Sequence, residues 1–350
     1  MKNIRKFETT AAMDTAVLTE PYVLYNEETG LAYTNPNGGS GDNEIDYSKQ
    51  YLTFEAIDDC VFAFSMNDTY YSLDNGDTWV LLSANTETPT VNAGNKILFK
   101  TTNPQISGSI GIGNFGVTGK FNISGNVMSM LYGDDFINKT DLTGWDFCFC
   151  FLFGDNDVVD TSKLILPATT LADYCYMYMF DSCENLTTAP ELPATTLADY
   201  CYSNMFLRCR SLTTVPELPV TALADRCYQN MFYGCTSLST APELPATTLA
   251  EGCYEGMFKD CTNLTTAPEL PATILAVDCY YFMFSGCTSL NHITMLATNI
   301  SDTNCLYKWV KGVSSTGTFV KNPYMHSLPT GTSGIPEGWT VEDYQSNSIN

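Results

Sequence analysis

The chain has 350 residues, enough for two or three domains, and 44% of them are hydrophobic, which excludes wholesale disorder. Acidic residues number 39 against 16 lysines and arginines, which gives a net charge of −23. A surface of that sign repels phosphate backbones and anionic membranes. The composition therefore predicts no nucleic-acid partner, and no apolar run is long enough to predict insertion into a membrane.

The first 41 residues are predicted to form a separate anchor segment. Residues 22–25 and 31–33 have strand-like composition and flank a short turn that ends at Gly30, which predicts a β-hairpin. A glycine-rich stretch at 35–46 follows as a loop or linker. The basic start of the chain is interrupted by Glu8 and lacks the apolar run of a secretion signal, so we expect no such signal.

Residues 42–135 are predicted to form a small antiparallel β-sandwich. Strand-like runs occupy 53–65, 69–73, 78–82, 96–100 and 119–123. Asn75-Gly76 between two of these runs is a strong hairpin signal. The sequence from Gly111 to Gly116 matches a dinucleotide fingerprint, but a strand-like segment follows it where that site needs a helix. We therefore expect a glycine-rich β loop there, and no cofactor.

Residues 136–311 contain five copies of a 26-residue repeat, flanked by atypical ends that we expect to act as caps. Copies begin at Leu166, Leu192, Leu218, Leu244 and Leu270, and a decaying sixth begins at Leu296. Apolar positions hardly change between copies, as in the columns Met179, Met205, Met231, Met257, Met283 and Phe180, Phe206, Phe232, Phe258, Phe284. Such columns are expected where each copy buries its apolar side chains against its neighbours.

Within a repeat, Cys201, Met205 and Cys209 lie four residues apart, which predicts a short helix. Residues 212–215 alternate apolar and polar and predict a short strand. We therefore expect an α+β protein: an antiparallel sandwich-like region, then a solenoid of short parallel strands and short helices. Residues 312–350 are predicted to form a β cap.

The repeat resembles the BspA-like, Treponema-type leucine-rich repeats. The resemblance rests on Met205-Phe206-x-x-Cys209-x-x-Leu212 and on Leu218-Pro219, repeated five times, with a longer period than is usual in that class. Residues 23–35 resemble the opening of virion-associated proteins of Bacteroidales phages and prophages. The tail from Gly317 to Val341 resembles the ending of many Bacteroidales surface and phage repeat proteins. This likeness implies a recognition protein that carries a solenoid.

Two cysteine columns and two acidic columns also repeat. Cysteine spacing of this kind favours buried packing thiols over zinc ligands, and disulfides between columns stay open. The acidic columns are predicted to be solvated, with a bound cation such as calcium as the alternative. They comprise Glu191, Glu217, Glu243, Glu269 and Asp173, Asp199, Asp225, Glu251. No metal site or cofactor is predicted.

Positions that vary between repeats are the candidate ligand-binding surface, because tyrosine and arginine on otherwise polar repeats are typical of interfaces. The alternative is neutral variation at exposed positions. A second candidate face is the flat row of paired threonines or serines at 187/188, 213/214, 239/240 and 265/266. The candidates on the variable positions are Tyr178, Leu207, Arg208, Arg210, Arg226, Tyr233, Lys259, Tyr281 and Phe282.

These features predict a non-enzymatic attachment protein that binds a protein or glycan on a cell surface. We expect it in a phage or prophage virion, such as a tail or head fibre, with the N-terminal region contacting other virion proteins. The alternative is a cell-surface adhesin of the BspA-like kind in Bacteroidales. Self-association into a homo-oligomer is left open.

Overall fold

The computed structural model describes the backbone of residues 3–7, 22–26 and 32–35, and residues 50–102, 104 and 112–345 in full. Contacts divide the chain into two units, Met1–Tyr47 and Ser48–Asn350. The finer division into four domains stays a prediction.

In the first unit, three strands form one sheet in the order β1-β2-β3. Their bounds are β1 Asn3–Phe7, β2 Tyr22–Asn26 and β3 Ala32–Asn35. The antiparallel pairing of β2 with β3 confirms the predicted hairpin, whereas the parallel pairing of β1 with β2 was not predicted. The predicted linker at 35–46 lies outside the described residues after its first position.

The second unit begins with a mostly antiparallel β region. Its strands are β4 Leu52–Ala56, β5 Val61–Phe64, β6 Thr69–Ser72, β7 Val80–Leu82, β8 Lys96–Thr101, β9 Phe115–Thr118 and β10 Phe121–Asn126, and β11 Lys163–Ile165 joins them from further along the chain. One sheet has the order β11-β10-β4-β8-β6-β7, and β5 pairs with β9 in a second sheet. Alternating burial along β4 and β5 places phenylalanines between the sheets, where Phe54 and Phe62 lie 5.3 Å apart. A sandwich-like arrangement is thus observed.

The hairpin predicted around Asn75-Gly76 is confirmed by the antiparallel pairing of β6 with β7. Both turn residues have positive φ, 59° and 92°. The Asp74 carboxylate fixes the loop: it accepts hydrogen bonds from the Thr78 hydroxyl at 2.5 Å, the Thr78 amide at 2.9 Å and the Ser72 hydroxyl at 2.7 Å.

A short helix follows β10 and closes the end of the sheet. Helix α1 spans Ser129–Tyr132, and a 3₁₀ turn continues it over Gly133–Asp135. Asp134 in that turn contacts the buried Lys100 ammonium of β8 at 2.6 Å. This contact neutralises a charge that would otherwise be costly to bury.

The predicted boundary at 135/136 does not separate two cores. β10 pairs in parallel with β11, which lies at the start of the repeats. Phe153 of the first coil lies 5.9 Å from Phe54 and 6.0 Å from Phe115, ring centre to ring centre. One continuous cluster of buried side chains therefore runs from the sheets into the repeats.

The prediction of a short helix in each repeat is wrong. Between residues 172 and 183 every second amide bonds inside the coil, as Met177 N–H does to the Tyr174 carbonyl at 3.1 Å. The amides between them bond to the next coil, as Tyr178 N–H does to the Ser203 carbonyl at 3.1 Å. An α-helix would pair each amide with the carbonyl four residues back. The segment is therefore a run of β-turns, and its remaining amides join neighbouring coils.

The strand predicted at 212–215 is also shorter than expected. Parallel pairing between coils is observed there, but as isolated bridges such as that between Thr188 and Thr214. Longer pairing occurs towards the end of the repeats, where β12 His292–Met295, β13 Thr318–Lys321 and β14 Thr340–Asp343 form a parallel sheet.

Aromatic rings stack through the middle of the coils. Five buried tyrosines form one column, with ring centres 5.7 to 6.2 Å apart: Tyr176, Tyr202, Tyr228, Tyr254 and Tyr280. The phenylalanine column from Phe180 to Phe284 stacks beside it at 5.4 to 5.8 Å. At the C-terminal end Trp309 packs on Tyr280, and its indole N–H donates to the Gly334 carbonyl at 2.9 Å.

Candidate recognition surface

The turn runs repeat a backbone conformation that L-residues rarely adopt. In each of seven successive runs, three residues spaced four apart have positive φ. We call the side chains at these positions, and at the positions directly before them, the turn face. The positive-φ residues are Phe147, Phe151, Asp155, Tyr174, Tyr178, Ser182, Tyr200, Asn204, Arg208, Arg226, Asn230, Gly234, Gly252, Gly256, Asp260, Asp278, Phe282, Gly286, Asn304, Lys308 and Gly312.

Large side chains at these positions are costly. Glycine, asparagine and aspartate tolerate the left-handed region, whereas other L-residues lose roughly 1–2 kcal/mol there. Ten of the 21 positions nevertheless carry another residue: six aromatic residues, two arginines, Ser182 and Lys308. Such strained residues concentrate at functional sites, so the turn face is the first place to look for a ligand.

At the N-terminal end of the turn face, aromatic rings stack from coil to coil. Phe147 and Tyr174 lie 4.3 Å apart with an interplanar angle of 1°, and Tyr174 lies 4.8 Å from Tyr200. The guanidinium of Arg226 continues the column, 5.7 Å from the centre of the Tyr200 ring. We call these four residues the tyrosine ladder.

The tyrosine ladder ends in a network of charged and amide groups. Arg226 contacts Glu251 at 2.7 Å and Glu255 at 3.7 Å, and Gln229 donates to Glu255 at 2.8 Å. Burial raises the pKa of the Glu255 carboxyl above its ordinary value, although Gln229 and Arg226 oppose that change. The positive charge of Arg226 is thus paired with the carboxylates of Glu251 and Glu255 on this part of the turn face.

At the C-terminal end, aromatic rings alternate with lysines. Lys259 Nζ lies 4.7 Å from the Tyr233 ring centre, and Lys308 Nζ lies 4.8 Å from that of Tyr307. The rings of Tyr281 and Phe282 belong to the same group. We call this group the aromatic–lysine patch; its members are Tyr233, Lys259, Tyr281, Phe282, Tyr307 and Lys308.

The structure brings most of the predicted ligand-binding residues onto the turn face. Four have positive φ, and three directly precede such a position. The first group is Tyr178, Arg208, Arg226 and Phe282, and the second is Tyr233, Lys259 and Tyr281. Leu207 also precedes one, but it is only 9% exposed because it packs into the coil, so its selection as a contact residue was wrong.

Arg210 lies beyond Cys209 and therefore outside the turn face, where it contacts Glu184 at 3.3 Å. Sequence reasoning missed the aromatic members Phe147, Tyr174 and Tyr200, and at the other end Tyr307 and Lys308. A repeat of four residues within each copy was the signal available for them, but it was interpreted as helical.

The acidic column that begins at Asp173 has a structural role. The Asp173 carboxylate accepts the Asp199 amide at 3.1 Å, and Asp199 does the same for Asp225, which in turn accepts the Glu251 amide. Each carboxylate thus bonds to the next coil. Within the described ranges, no group of three or more histidine, cysteine or acidic residues is placed to hold a metal ion.

The cysteines are buried free thiols, as the packing interpretation predicts. The Cys209 thiol donates to the Phe180 carbonyl of the preceding coil at 3.1 Å, and Cys235 bonds to Phe206 in the same way. Burial raises the pKa of the Cys150 thiol to about 11. A thiol held in its protonated form is a poor nucleophile and a poor metal ligand.

The last residues of the glycine motif at 111–116 belong to β9, a strand that begins at Phe115, and no helix begins there. Gly111 itself lies outside the described residues. A cleft of about 390 Å³ on the sheet region is lined by uncharged side chains together with Lys96.

No family model, curated protein or solved structure matches the chain. In the part of the chain that is described, the helices are too short to cross a bilayer.

Proposed function

We propose that the protein is a non-catalytic recognition protein whose turn face binds its ligand. The observation that carries this proposal is the set of tyrosine, phenylalanine and arginine side chains at positive-φ positions. Glycine or asparagine would be less strained there, and neighbouring coils use them at the same positions. Retaining a bulky side chain at such a position needs a compensating gain, and ligand contact supplies one.

We also propose that the coils belong to the leucine-rich-repeat class. Support comes from the repeated apolar columns and from backbone bonding between residues one repeat apart. Stacked coils of this kind present an extended surface, which suits a large or polymeric ligand.

The proposed setting is attachment of a phage or prophage particle to its host, with an adhesin on the bacterial surface as the alternative. Mass spectrometry of purified particles, induced from the bacterium that carries the gene, separates the two settings. The chain is expected among the particle proteins. Recovery from the cell envelope and not from particles would favour the adhesin.

The turn face itself is tested by a triple variant, Tyr178→Asn, Arg208→Gly and Tyr281→Ala. The first two changes copy the residues of following coils, Asn204 and Gly234, and so keep the backbone conformation. Attachment of the labelled protein to host cells is expected to be lost while the unfolding temperature stays within a few degrees of the original.

A matched control changes the second candidate face, with Thr213→Ala, Thr214→Ala and Thr240→Ala at exposed positions. Attachment by this variant should be unchanged. Loss of attachment in the control and its retention in the turn-face variant would place the ligand on the threonine face and overturn the proposal.

A further inference from the structure

The aromatic–lysine patch combines partly exposed rings with cations that have no carboxylate partner among the residues that the structure describes. Among the described residues, neither Lys259 nor Lys308 takes part in an ion pair, although the chain carries 39 acidic residues. Arg210 and Arg226, on earlier coils, are both paired with glutamates. The two lysines are therefore available to an anion from outside.

The rings of the patch are held in a fixed arrangement. Tyr281 and Tyr307 stack at 5.0 Å with an interplanar angle of 19°, and Phe282 meets both edge-on, at 4.7 Å and 5.6 Å. Lys259 also lies 5.3 Å from the Phe282 ring, and Lys308 lies 5.9 Å from it. Both ammonium groups thus lie close to the same ring and share one aromatic surface.

The patch is elongated along the direction in which the coils stack. Tyr233, Lys259, Phe282 and Lys308 come from four successive coils. Tyr307 is 37% exposed, and the other members are partly exposed. A row of this shape suits an extended polymer that contacts one coil after another.

We propose that the aromatic–lysine patch binds an acidic polysaccharide, with sugar rings against Tyr281, Tyr307 and Phe282. Carboxylate or sulfate groups of the polymer would pair with Lys259 and Lys308. This inference rests on the proposed function, because it names the ligand class of the turn face. An acidic protein is less suited to the patch, because lysine is depleted in protein–protein interfaces and here two lysines occupy the centre.

The test measures binding of the full chain to three immobilised polymers: alginate, dextran sulfate and neutral dextran. Alginate carries carboxylates and dextran sulfate carries sulfates, so the pair distinguishes the two sources of charge. We expect binding to at least one charged polymer, weakening as salt is raised, and no binding to neutral dextran. Equal binding to neutral dextran, or no binding to any of the three, overturns the inference.

The double variant Lys259→Gln and Lys308→Gln should weaken binding to the charged polymer by about tenfold or more. Its control is Lys120→Gln with Lys163→Gln, which makes the same charge change at exposed positions on the sheet region. An equal loss in both variants would mean that any lysine on the surface contributes equally to binding, and the patch would be excluded as the site.

Cell attachment separates this inference from the proposed function. If the chain attaches through the turn face but binds no acidic polymer, the polysaccharide inference fails and the proposed function stands. If the triple variant of the turn face attaches normally, the proposed function fails first. A circular dichroism spectrum of each variant confirms that it is folded.

Discussion

The sheet region and the coils both bury aromatic rings, but the rings pack differently in the two regions. Between the sheets, phenylalanines meet at varied angles, for example 72° between Phe54 and Phe115 and 42° between Phe54 and Phe121. In the coils, equivalent rings stack nearly parallel, at 1° for Phe180 and Phe206 and 3° for Phe206 and Phe232.

This difference explains where each region tolerates change. In the sheet region each ring has a different set of neighbours, so any substitution disturbs a unique arrangement. In the coils the interior is the same from copy to copy, and the turn face can vary without altering it.

The largest expected effect tests whether the two regions share one core. Phe232→Ala removes a ring that stacks on Phe206 at 5.7 Å and Phe258 at 5.8 Å. Loss of a fully buried phenylalanine should lower the free energy of unfolding by about 3–5 kcal/mol. Hydrogen exchange measured by mass spectrometry, peptide by peptide, should show lower protection in the sheet region as well, because the buried cluster is continuous.

Ser239→Ala is the control for this substitution, because Ser239 is exposed on the same coil. Its effect on the free energy of unfolding should stay within about 0.5 kcal/mol. A loss of protection confined to the coils in Phe232→Ala would show that the two regions unfold separately, contrary to a shared core.

The repeat, its buried columns and the Asn75-Gly76 hairpin could be predicted from the sequence because they depend on local signals or on self-similarity. The secondary structure of the repeat could not. Four-residue spacing of Cys201, Met205 and Cys209 suits both an α-helix and a run of β-turns. The choice depends on whether alternate amides find a partner in the next coil, which is a non-local property.

Only part of the candidate site could be predicted from the sequence, again because the rest depends on properties that the sequence does not display. Variation between repeats identified Tyr178, Arg208 and Phe282, but their shared backbone conformation is invisible in the sequence, where tyrosine and arginine give no sign of positive φ. Leu207 varies too, yet its side chain is buried in the coil. Variability alone does not separate the exposed positions from the buried ones.

The next effect in size tests the strain on the turn face. Gly256 has a φ of +59°, and an added Cβ would collide with the Asn230 side-chain oxygen. Gly256→Ala should therefore lower the free energy of unfolding by about 1–2 kcal/mol. Phe282→Gly at the equivalent position of the next coil relieves that strain and should change stability by less than about 1 kcal/mol, since glycine also adds unfolded-state entropy. Denaturant titration measures both.

Gly116→Ala is the matched control, because Gly116 lies in β9 with no neighbouring atom within 4 Å of an added Cβ. It should be close to neutral. A strong loss of stability in Phe282→Gly would mean that this ring stabilises the coil, and the argument that it is kept for a ligand would fail.

The smallest expected effect concerns an edge of the sheet region, where a loop is held by one carboxylate instead of by stacking. Hydrogen bonds from the Thr78 hydroxyl and amide, and from Ser72, lower the pKa of Asp74 from 3.8 to about 2. Because the folded value lies below the unfolded one, the stabilising contribution is present above pH 3.8 and is lost as the pH falls towards 2. The protection of the β6–β7 hairpin amides, measured by NMR as the exchange rate relative to the intrinsic rate at the same pH, should fall across that interval in the wild type and be low throughout in Asp74→Asn. Asp77→Asn makes the same charge change in the same loop, and if it behaves like Asp74→Asn, loop charge and not these hydrogen bonds controls the hairpin.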